Sequence, residues 1–415
     1  MEKTLGVYIH IPFCVSKCAY CDFYSVAGAE GLMDRYKAAV IKSISEWSSQ
    51  LEGYVIDTVY FGGGTPSYFG ASRLVAILNA LKKYGHLLID SEVTLEANPD
   101  SASYNELLKL RRAGFNRISL GVQSSDDGLL KSLGRRHDFA GAERAVREAR
   151  RAGFENLSVD LIYGLPSQTK EGWADSLTKA AALHPEHISC YGLKIEPGTA
   201  LYELRDAPFI PDGDAQADMY LYAVDTLERL GYYQYEISNF AKGGFRSRHN
   251  LKYWLGDEYL GFGAAAHSYI GGRRYSCIAD IAKYCEGVET GGSIVEGLET
   301  ITDFERAGEY LMLGLRTTHG VCEEEYRRLY RGGFEKIEEK LDYYVKHGFM
   351  KKTDGRWSFT PRGFLVSNVI IGEVLDAQTE QRAILSPPWR DTSEIDQQLG
   401  LFSERSGDAE WFRGM

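Results

Sequence analysis

Val7-Tyr8-Ile9-His10-Ile11-Pro12-Phe13-Cys14-Val15-Ser16-Lys17-Cys18-Ala19-Tyr20-Cys21 runs an alternating segment straight into a loop with three thiols in eight residues. The alternation over 7–11 reads as a strand. The other four cysteines, Cys190, Cys277, Cys285 and Cys322, are scattered. Three thiolates on one short loop can hold three irons of a cubane cluster, since cysteine is the usual iron–sulfur ligand. Such a loop leaves the fourth iron open to a small molecule. Two other readings stand beside this one. His10 can complete a four-ligand zinc site, although it sits in the strand and C-x3-C-x2-C lacks paired C-x2-C knuckles. A disulfide would leave an odd thiol, and no secretory signal precedes the run.

At 415 residues and 46.5 kDa the chain exceeds one typical domain, and two are expected. With 44% hydrophobic and 25% charged residues and a mean hydropathy of −0.29, the composition is that of a soluble globular protein. No apolar run of eighteen residues is present, which excludes a membrane-spanning helix. Met-Glu-Lys-Thr-Leu followed by a strand reads as neither signal nor transit peptide. A reducing, cytoplasmic setting is therefore expected, and it suits an oxygen-sensitive cluster. A net charge of −11 and a pI near 5.4 argue against a general nucleic-acid binder.

Strand candidates at 7–11, 57–61, 92–97, 117–122, 157–163 and 187–195 alternate with helical stretches at 33–51, 72–84, 104–113, 140–152 and 171–183. Alternation at this spacing means parallel pairing, because parallel strands need a crossover connection. Six units predict an open or partial βα barrel. The echo of Arg-Ala-Gly-Phe at 112–115 and 151–154 marks helix ends, with Gly in the C′ position. In such folds chemistry sits where strands end. That rule selects the cysteine loop, Gly62-Gly63-Gly64-Thr65-Pro66, Glu96-Ala97-Asn98-Pro99, Gly121-Val122-Gln123-Ser124, and Asp160 ahead of Gly164-Leu165-Pro166. Polar residues on buried strands are costly unless paired, so Glu96, Gln123 and Asp160 read as inward ligand contacts. The glycine triplet lacks the G-x-x-x-x-G-K-[ST] of a phosphate loop; its use is close backbone approach to a polar ligand.

Beyond a glycine-rich linker at 287–297, helices are expected at 303–316, 322–330 and 334–347, then a hairpin at 350–360 and a helix from Pro361. This order suggests a winged-helix-like module. From 321 to 360 nine Lys or Arg face eight Asp or Glu, which is no basic stripe for DNA. Residues after about 376 are Pro-, Gln- and charge-rich, and a mobile tail is expected there.

The chain resembles radical S-adenosylmethionine (SAM) enzymes, and more narrowly the oxygen-independent coproporphyrinogen III oxidase family. The match rests on Tyr8 to Cys14, the three cysteines, Gly62 to Pro66, Gly121-Val122-Gln123 and Asp160 to Pro166, and it extends to about residue 375. The resemblance implies a [4Fe-4S] cluster on Cys14, Cys18 and Cys21, with SAM chelating the open iron. It places Tyr8, Gly63, Gly64, Thr65, Glu96, Gln123, Arg135 and Asp160 at SAM, and Tyr20 beside the adenine. The implied chemistry is one-electron cleavage of the sulfonium to a 5′-deoxyadenosyl radical, supplied by the cofactors while the protein positions and shields them. Members that oxidise coproporphyrinogen carry a further cysteine two residues after the third, where this chain has Phe23, and a longer amino-terminal extension. Both departures fit the HemW-type branch, regarded as haem chaperones. So does Arg248-His249-Asn250-Leu251-Lys252-Tyr253-Trp254, which matches the H-N-x-x-Y-W element of that branch. By this likeness His249 is an axial ligand, Tyr253 and Trp254 stack on the macrocycle, and Arg246, Arg248, Arg273 and Arg274 pair with propionates. The plainer reading is a packed core, since eleven aromatics fall between Tyr232 and Tyr275. His267 is a weaker candidate, read as structural.

The expectation is therefore an α/β protein: a partial (β/α)6 radical SAM barrel with a C-terminal, mostly helical, winged-helix-like domain. The divisions are 1–235 for the core barrel, 236–300 for a connecting region with the candidate haem site, 301–380 for the winged-helix-like domain and 381–415 for a flexible tail. The expected function is haem delivery to haemoproteins by a protein that binds a [4Fe-4S] cluster, SAM and haem. Expected partners are haem or porphyrin, an electron donor for the cluster and acceptor haemoproteins, with peripheral membrane association through them. The alternative is SAM-dependent oxidative decarboxylation of coproporphyrinogen III to protoporphyrinogen IX.

Overall fold

The computed structural model describes residues 3–385, which form two compact units. One comprises 3–253 with 257–300; the other comprises 301–385 with the short stretch 254–256. The first unit is built on β1 (Lys3–Ile11), β2 (Tyr54–Gly63), β3 (Leu87–Ala97), β4 (Arg117–Gln123), β5 (Asn156–Tyr163) and β6 (His187–Gly192), all parallel and adjacent in that order. The crossovers are α1 (Met33–Glu46), α2 (Ala71–Tyr84), α3 (Tyr104–Ala113), α4 (Phe139–Arg151) and α5 (Lys170–Ala182). The expected alternation is thus present, with small differences at the ends: α1 stops at Glu46 before a 3-10 turn (Ser48–Leu51), and β6 stops at Gly192. Gly114 and Gly153, at φ +113° and +95°, end α3 and α4 in the left-handed conformation expected of them.

The barrel stays open. After α6 (Gly213–Arg229), β7 (Tyr233–Gln234) and β8 (Asn239–Ala241) extend it antiparallel beyond β6. On the other side β9 (Tyr259–Phe262) pairs parallel with β1, and β10 (His267–Ile270), β11 (Arg273–Cys277) and β12 (Val295–Thr300) continue antiparallel, giving a twelve-stranded sheet. Residues 236–300 are therefore continuous with the sheet.

Side chains alternate across each strand, and the two faces differ in kind. Leu5, Val7, Ile9, Val59, Phe61, Val93, Leu95, Ile118, Leu120, Val159 and Leu161 are buried on one face. The other face carries Thr58, Tyr60, Glu92, Thr94, Glu96, Arg117, Ser119, Ser158, Asp160, His187 and Ser189. Its floor is closed by α7 (Arg248–Leu255), whose first backbone N–H groups, those of Arg248 and His249, each donate to the Glu92 carboxylate at 3.1 Å. A carboxylate at a helix N-terminus is favourably placed for both hydrogen bonding and the helix dipole.

Two expectations need correction. The stretch 287–297 is no linker, because α8 (Ile281–Thr290) runs through Gly287. Asp280 caps it by accepting from the Lys283 N–H, and Ile281, Tyr284, Cys285 and Val288 bury one helical face. Four apolar positions at that spacing outweigh one glycine, and a Cβ at Gly287 would meet Ile294 at 2.7 Å. Nor does a tail begin at 376: the last helix, described below, continues to Leu385, while 386–415 lie outside the described residues.

The second unit is α9 (Asp303–Gly314), β13 (Val321–Cys322), α10 (Glu323–Tyr330), α11 (Glu335–Lys346), β14 (Met350–Thr353), β15 (Arg356–Phe359), a short helix Pro361–Leu365 and α12 (Ser367–Leu385). Thr302 and Glu305 form a capping box on α9. The three strands pair in the order β13-β15-β14, as a winged-helix-like module requires. Ile370, Ile371, Val374, Ala377 and Gln378 bury the inner face of α12, and Gln378 donates to the Tyr326 hydroxyl.

Candidate functional site

The cysteine loop is pinned by backbone bonds at both ends. Pro12 O accepts from the Val26 N–H at 2.7 Å, Ala19 N–H donates to Leu133 O, and Ala19 O accepts from Leu201 N–H. Ala19 and Tyr20 also pack on an apolar group of Leu133, Ile162, Leu165, Leu193 and Leu201. A loop held this way directs its thiols inward at little further entropic cost. Cys14, Cys18 and Cys21 all line one cavity of about 440 Å³ at the strand ends, within the size usual for ligand pockets. All three are free thiols. Among the described residues no group of three His, Cys, Asp or Glu side chains is arranged to hold a single metal ion.

His10 is not a fourth ligand in this structure. Its Nε2–H donates to Tyr24 O at 2.9 Å and its Nδ1 lies 3.1 Å from the Tyr8 hydroxyl. Burial holds its pKa down at about 4, so the ring is neutral and fully partnered.

Of the residues expected at the cofactor, Tyr20, Gly63, Gly64, Thr65, Glu96, Gln123, Arg135 and Asp160 line the same cavity as the thiols. Tyr8 does not; its ring lies behind the wall, stacked 6.2 Å from Tyr60. Glu96 accepts from the Tyr60 hydroxyl at 2.7 Å and the Gly63 N–H at 3.1 Å. Burial, with the charge of Asp160 adding to it, still pushes the Glu96 carboxyl up to about 7. Asp160 accepts from Ser189 (2.6 Å), Ser119 (2.8 Å) and Ser158 (3.2 Å), and burial raises its pKa as well. Gln123 sits at φ +68°, left-handed for a residue with a side chain, at an irregularity of the β4–β5 register. Strain of this kind is held where surrounding structure over-determines it. The outcome is a pocket with two carboxylates on one wall, three thiols on another and the Arg135 guanidinium between.

The H-N-x-x-Y-W element lies elsewhere. His249 is fully buried in the barrel floor, its ring stacked 5.2 Å from Tyr60. Nδ1 is 2.9 Å from the Thr58 hydroxyl and Nε2 is 2.8 Å from the Tyr253 hydroxyl, so both nitrogens are partnered. Burial, with Lys252 and Arg117 nearby, lowers its pKa to about 3. Tyr253 and Trp254 follow on α7, and Tyr253 packs edge-on against Tyr259. The arginines are dispersed: Arg248 donates to Asp90 O, Arg274 pairs with Glu299, and Arg246 lies over Tyr235. His267 is exposed at the start of β10.

Sequence reasoning assigned no role to three side chains that shape the site, although Asn98 falls within the selected strand-end stretch 96–99. Tyr60 and Arg117 are inward on strands but were not distinguishable from core residues by period alone. Asn98, one residue past β3, links the cavity walls; its only signal was the strand-end position.

The profile of the Radical SAM superfamily matches residues 8–180, and that of the HemN C-terminal domain matches 301–366. Heme chaperone HemW of Bacillus subtilis (strain 168) is 36% identical over 377 residues, covering 89% of this chain and 99% of that protein. Heme chaperone HemW of Escherichia coli (strain K12) is 34% identical over 372 residues, covering 88% and 97%. Among solved structures, coproporphyrinogen III oxidase (HemN) from Escherichia coli matches with a TM-score of 0.80 at 23% identity, over 91% of this chain and 90% of that one, a likeness of fold. Identity at this level over nearly the whole of both chains, on a barrel whose strand ends gather the three thiols, is family membership: the chain belongs to the radical SAM superfamily and, within it, to the HemW family.

Proposed function

We propose that this protein is a haem chaperone that holds a [4Fe-4S] cluster on Cys14, Cys18 and Cys21, binds SAM beside it and delivers haem to haemoproteins. The observation that carries the reading is the single cavity into which three free thiols, Glu96, Gln123, Arg135 and Asp160 all project. When bound, the cluster and SAM supply reductive sulfonium chemistry. The chain's own residues do the rest. Thr65 and Arg135 place donors on two of the sulfurs, while Glu96 and Asp160 offer paired acceptors to ammonium and hydroxyl groups. Tyr20, Gly63 and Gly64 give the ligand a ring face and bare backbone. Tyr8 supports this wall from behind through Tyr60. The haem cargo is supported by the curated HemW relatives, and acceptor haemoproteins, an electron donor, a cytoplasmic setting and peripheral membrane association through partners belong to the same proposal.

The test is one anaerobically reconstituted sample assayed twice. Haem titration should produce a Soret band, and coproporphyrinogen III with a reductant should yield no protoporphyrinogen IX. Appearance of that product would reassign the protein to oxidative decarboxylation.

Two further outcomes follow from the geometry. Iron ligation by His249 requires its Nε2 to leave the Tyr253 hydroxyl. Tyr253→Phe keeps the ring and removes that competitor, so haem should half-saturate the variant at lower concentration, while His249→Ala should need more. A Soret titration indifferent to His249→Ala places the haem elsewhere. The second outcome concerns pH. Glu96 is protonated below about 7, and a cationic ligand binds its ionised form. SAM affinity should therefore rise by up to about tenfold per pH unit below 7 and level off above it. Calorimetry with Glu96→Gln should show that slope flattened.

A further inference from the structure

A continuous arc of hydrogen bonds joins two of the three thiols through one amide. Cys14 Sγ lies 3.4 Å from Thr65 Oγ1. Thr65 Oγ1 accepts from Asn98 Nδ2 at 3.3 Å. Asn98 Oδ1 accepts from Arg135 Nη2 at 2.7 Å, and Arg135 Nη1 donates to Cys18 Sγ at 3.6 Å. Arg135 Nη2 is further fixed by Gly121 O at 2.6 Å.

With Cys14 and Cys18 as thiolate ligands of the cluster, the direction of every bond in this arc is forced. A guanidinium can only donate, so the Asn98 atom facing Arg135 must be the oxygen. Its NH2 then faces Thr65 and donates to that hydroxyl. As a cluster ligand Cys14 is a thiolate with no hydrogen to give, so Thr65, which accepts from Asn98 on one lone pair, must be the donor toward Cys14 Sγ. Both ends of the arc thus deliver hydrogens to sulfur. Hydrogen bonds to cluster sulfurs raise the reduction potential, because they stabilise the more negative reduced state.

We propose that Asn98 is a positioning residue that orients hydrogen-bond donation onto two of the three cluster sulfurs and so holds the cluster potential up. This rests on the reading of Cys14, Cys18 and Cys21 as cluster ligands. Asn98 itself touches neither sulfur; it acts through Thr65 and Arg135.

Asn98→Asp tests the direction at constant shape. A carboxylate accepts on both oxygens, so it keeps Arg135 and draws the Thr65 hydrogen away from Cys14. The expected result on the reconstituted protein is unchanged iron and sulfide content with a midpoint potential shifted to more negative values by EPR-monitored titration. Added negative charge alone would also shift it that way, so the same substitution is made on Thr65→Val. There the shift should shrink, because no hydroxyl remains to turn. The neutral Asn98→Ala should likewise lower the potential, and by less on Thr65→Val. Equal shifts in both backgrounds, or none, overturn the proposal. Loss of iron from both Asn98 variants at unchanged thermal stability also overturns it, since the amide would then secure the loop instead of orienting donors. Wild-type protein that holds no iron and sulfide is a different result, and it sinks the cluster assignment itself.

Discussion

Arg117→Met is expected to destabilise the folded protein by about 3–5 kcal/mol, the usual cost of removing one partner from a buried set of charges. Arg117 is only 2% exposed, at the start of β4 in the middle of the barrel's polar face. Desolvation alone would lower its pKa, but Glu92, the Tyr60 and Tyr235 hydroxyls and Asp160 outweigh it and hold the guanidinium firmly protonated. The same positive charge works against the upward push that burial exerts on Glu96 and Asp160. Take it away, and Glu92 under the N-terminus of α7 loses the guanidinium charge that faces it, while Glu96 is driven further above about 7. Methionine has nearly the right length and no charge, so the loss is electrostatic and not a cavity. Arg117→Lys keeps the charge and should recover part of the stability. Urea unfolding of the apo protein under reducing conditions reads both. A midpoint for Arg117→Met within error of wild type would show that water, not Arg117, balances these carboxylates.

That polar interior bears on what the sequence could disclose. Glu96, Gln123 and Asp160 were legible as inward contacts because each interrupts an apolar strand, the first two at its end and Asp160 at its middle, where burial is expensive. The cysteine loop and the Gly62-Gly63-Gly64 turn were legible because their spacing is local. Asn98 was not, because its meaning comes from Thr65 and Arg135, 33 and 37 positions away. His249 illustrates the opposite case. Its motif was plain, yet only the fold puts its ring against Tyr60 and both its nitrogens on protein hydroxyls. The misread stretch at 287–297 failed for a local reason: glycine counting overrode an Asp280 cap and an apolar helical face. The start of the tail was set too early at 376 for a similar reason, since the apolar positions of α12 are spaced along a helix whose other faces are polar.

Gly64→Ala should carry the second large effect, on cofactor loading more than on fold. Gly64 needs no left-handed backbone, so the argument is purely one of space. A Cβ there would stand 2.9 Å from Ile11 O, Phe13 N and Phe13 O, all backbone atoms of the segment leading into Cys14. The Gly64 N–H also donates to Ile11 O at 2.9 Å and the Thr65 N–H to Phe13 O at 2.8 Å, so turn and loop root are one hydrogen-bonded unit. Backbone cannot swing aside as a side-chain tip can; the whole root of the cysteine loop must shift by tenths of an ångström. Overpacking of this kind costs about 1–3 kcal/mol, and it falls where Thr65 meets Cys14 Sγ at 3.4 Å. Displaced geometry at a metal ligand is felt more than its stability cost suggests, because supporting contacts routinely govern affinity by about 10–100-fold. Iron and sulfide per chain after reconstitution should therefore fall well before the thermal midpoint does. Gly31→Ala is the matched control: nothing lies within 4 Å of its added methyl, and it should change stability by no more than about 0.5 kcal/mol. If Gly64→Ala loads iron and sulfide as fully as Gly31→Ala, the glycine turn does not set the position of the first thiol.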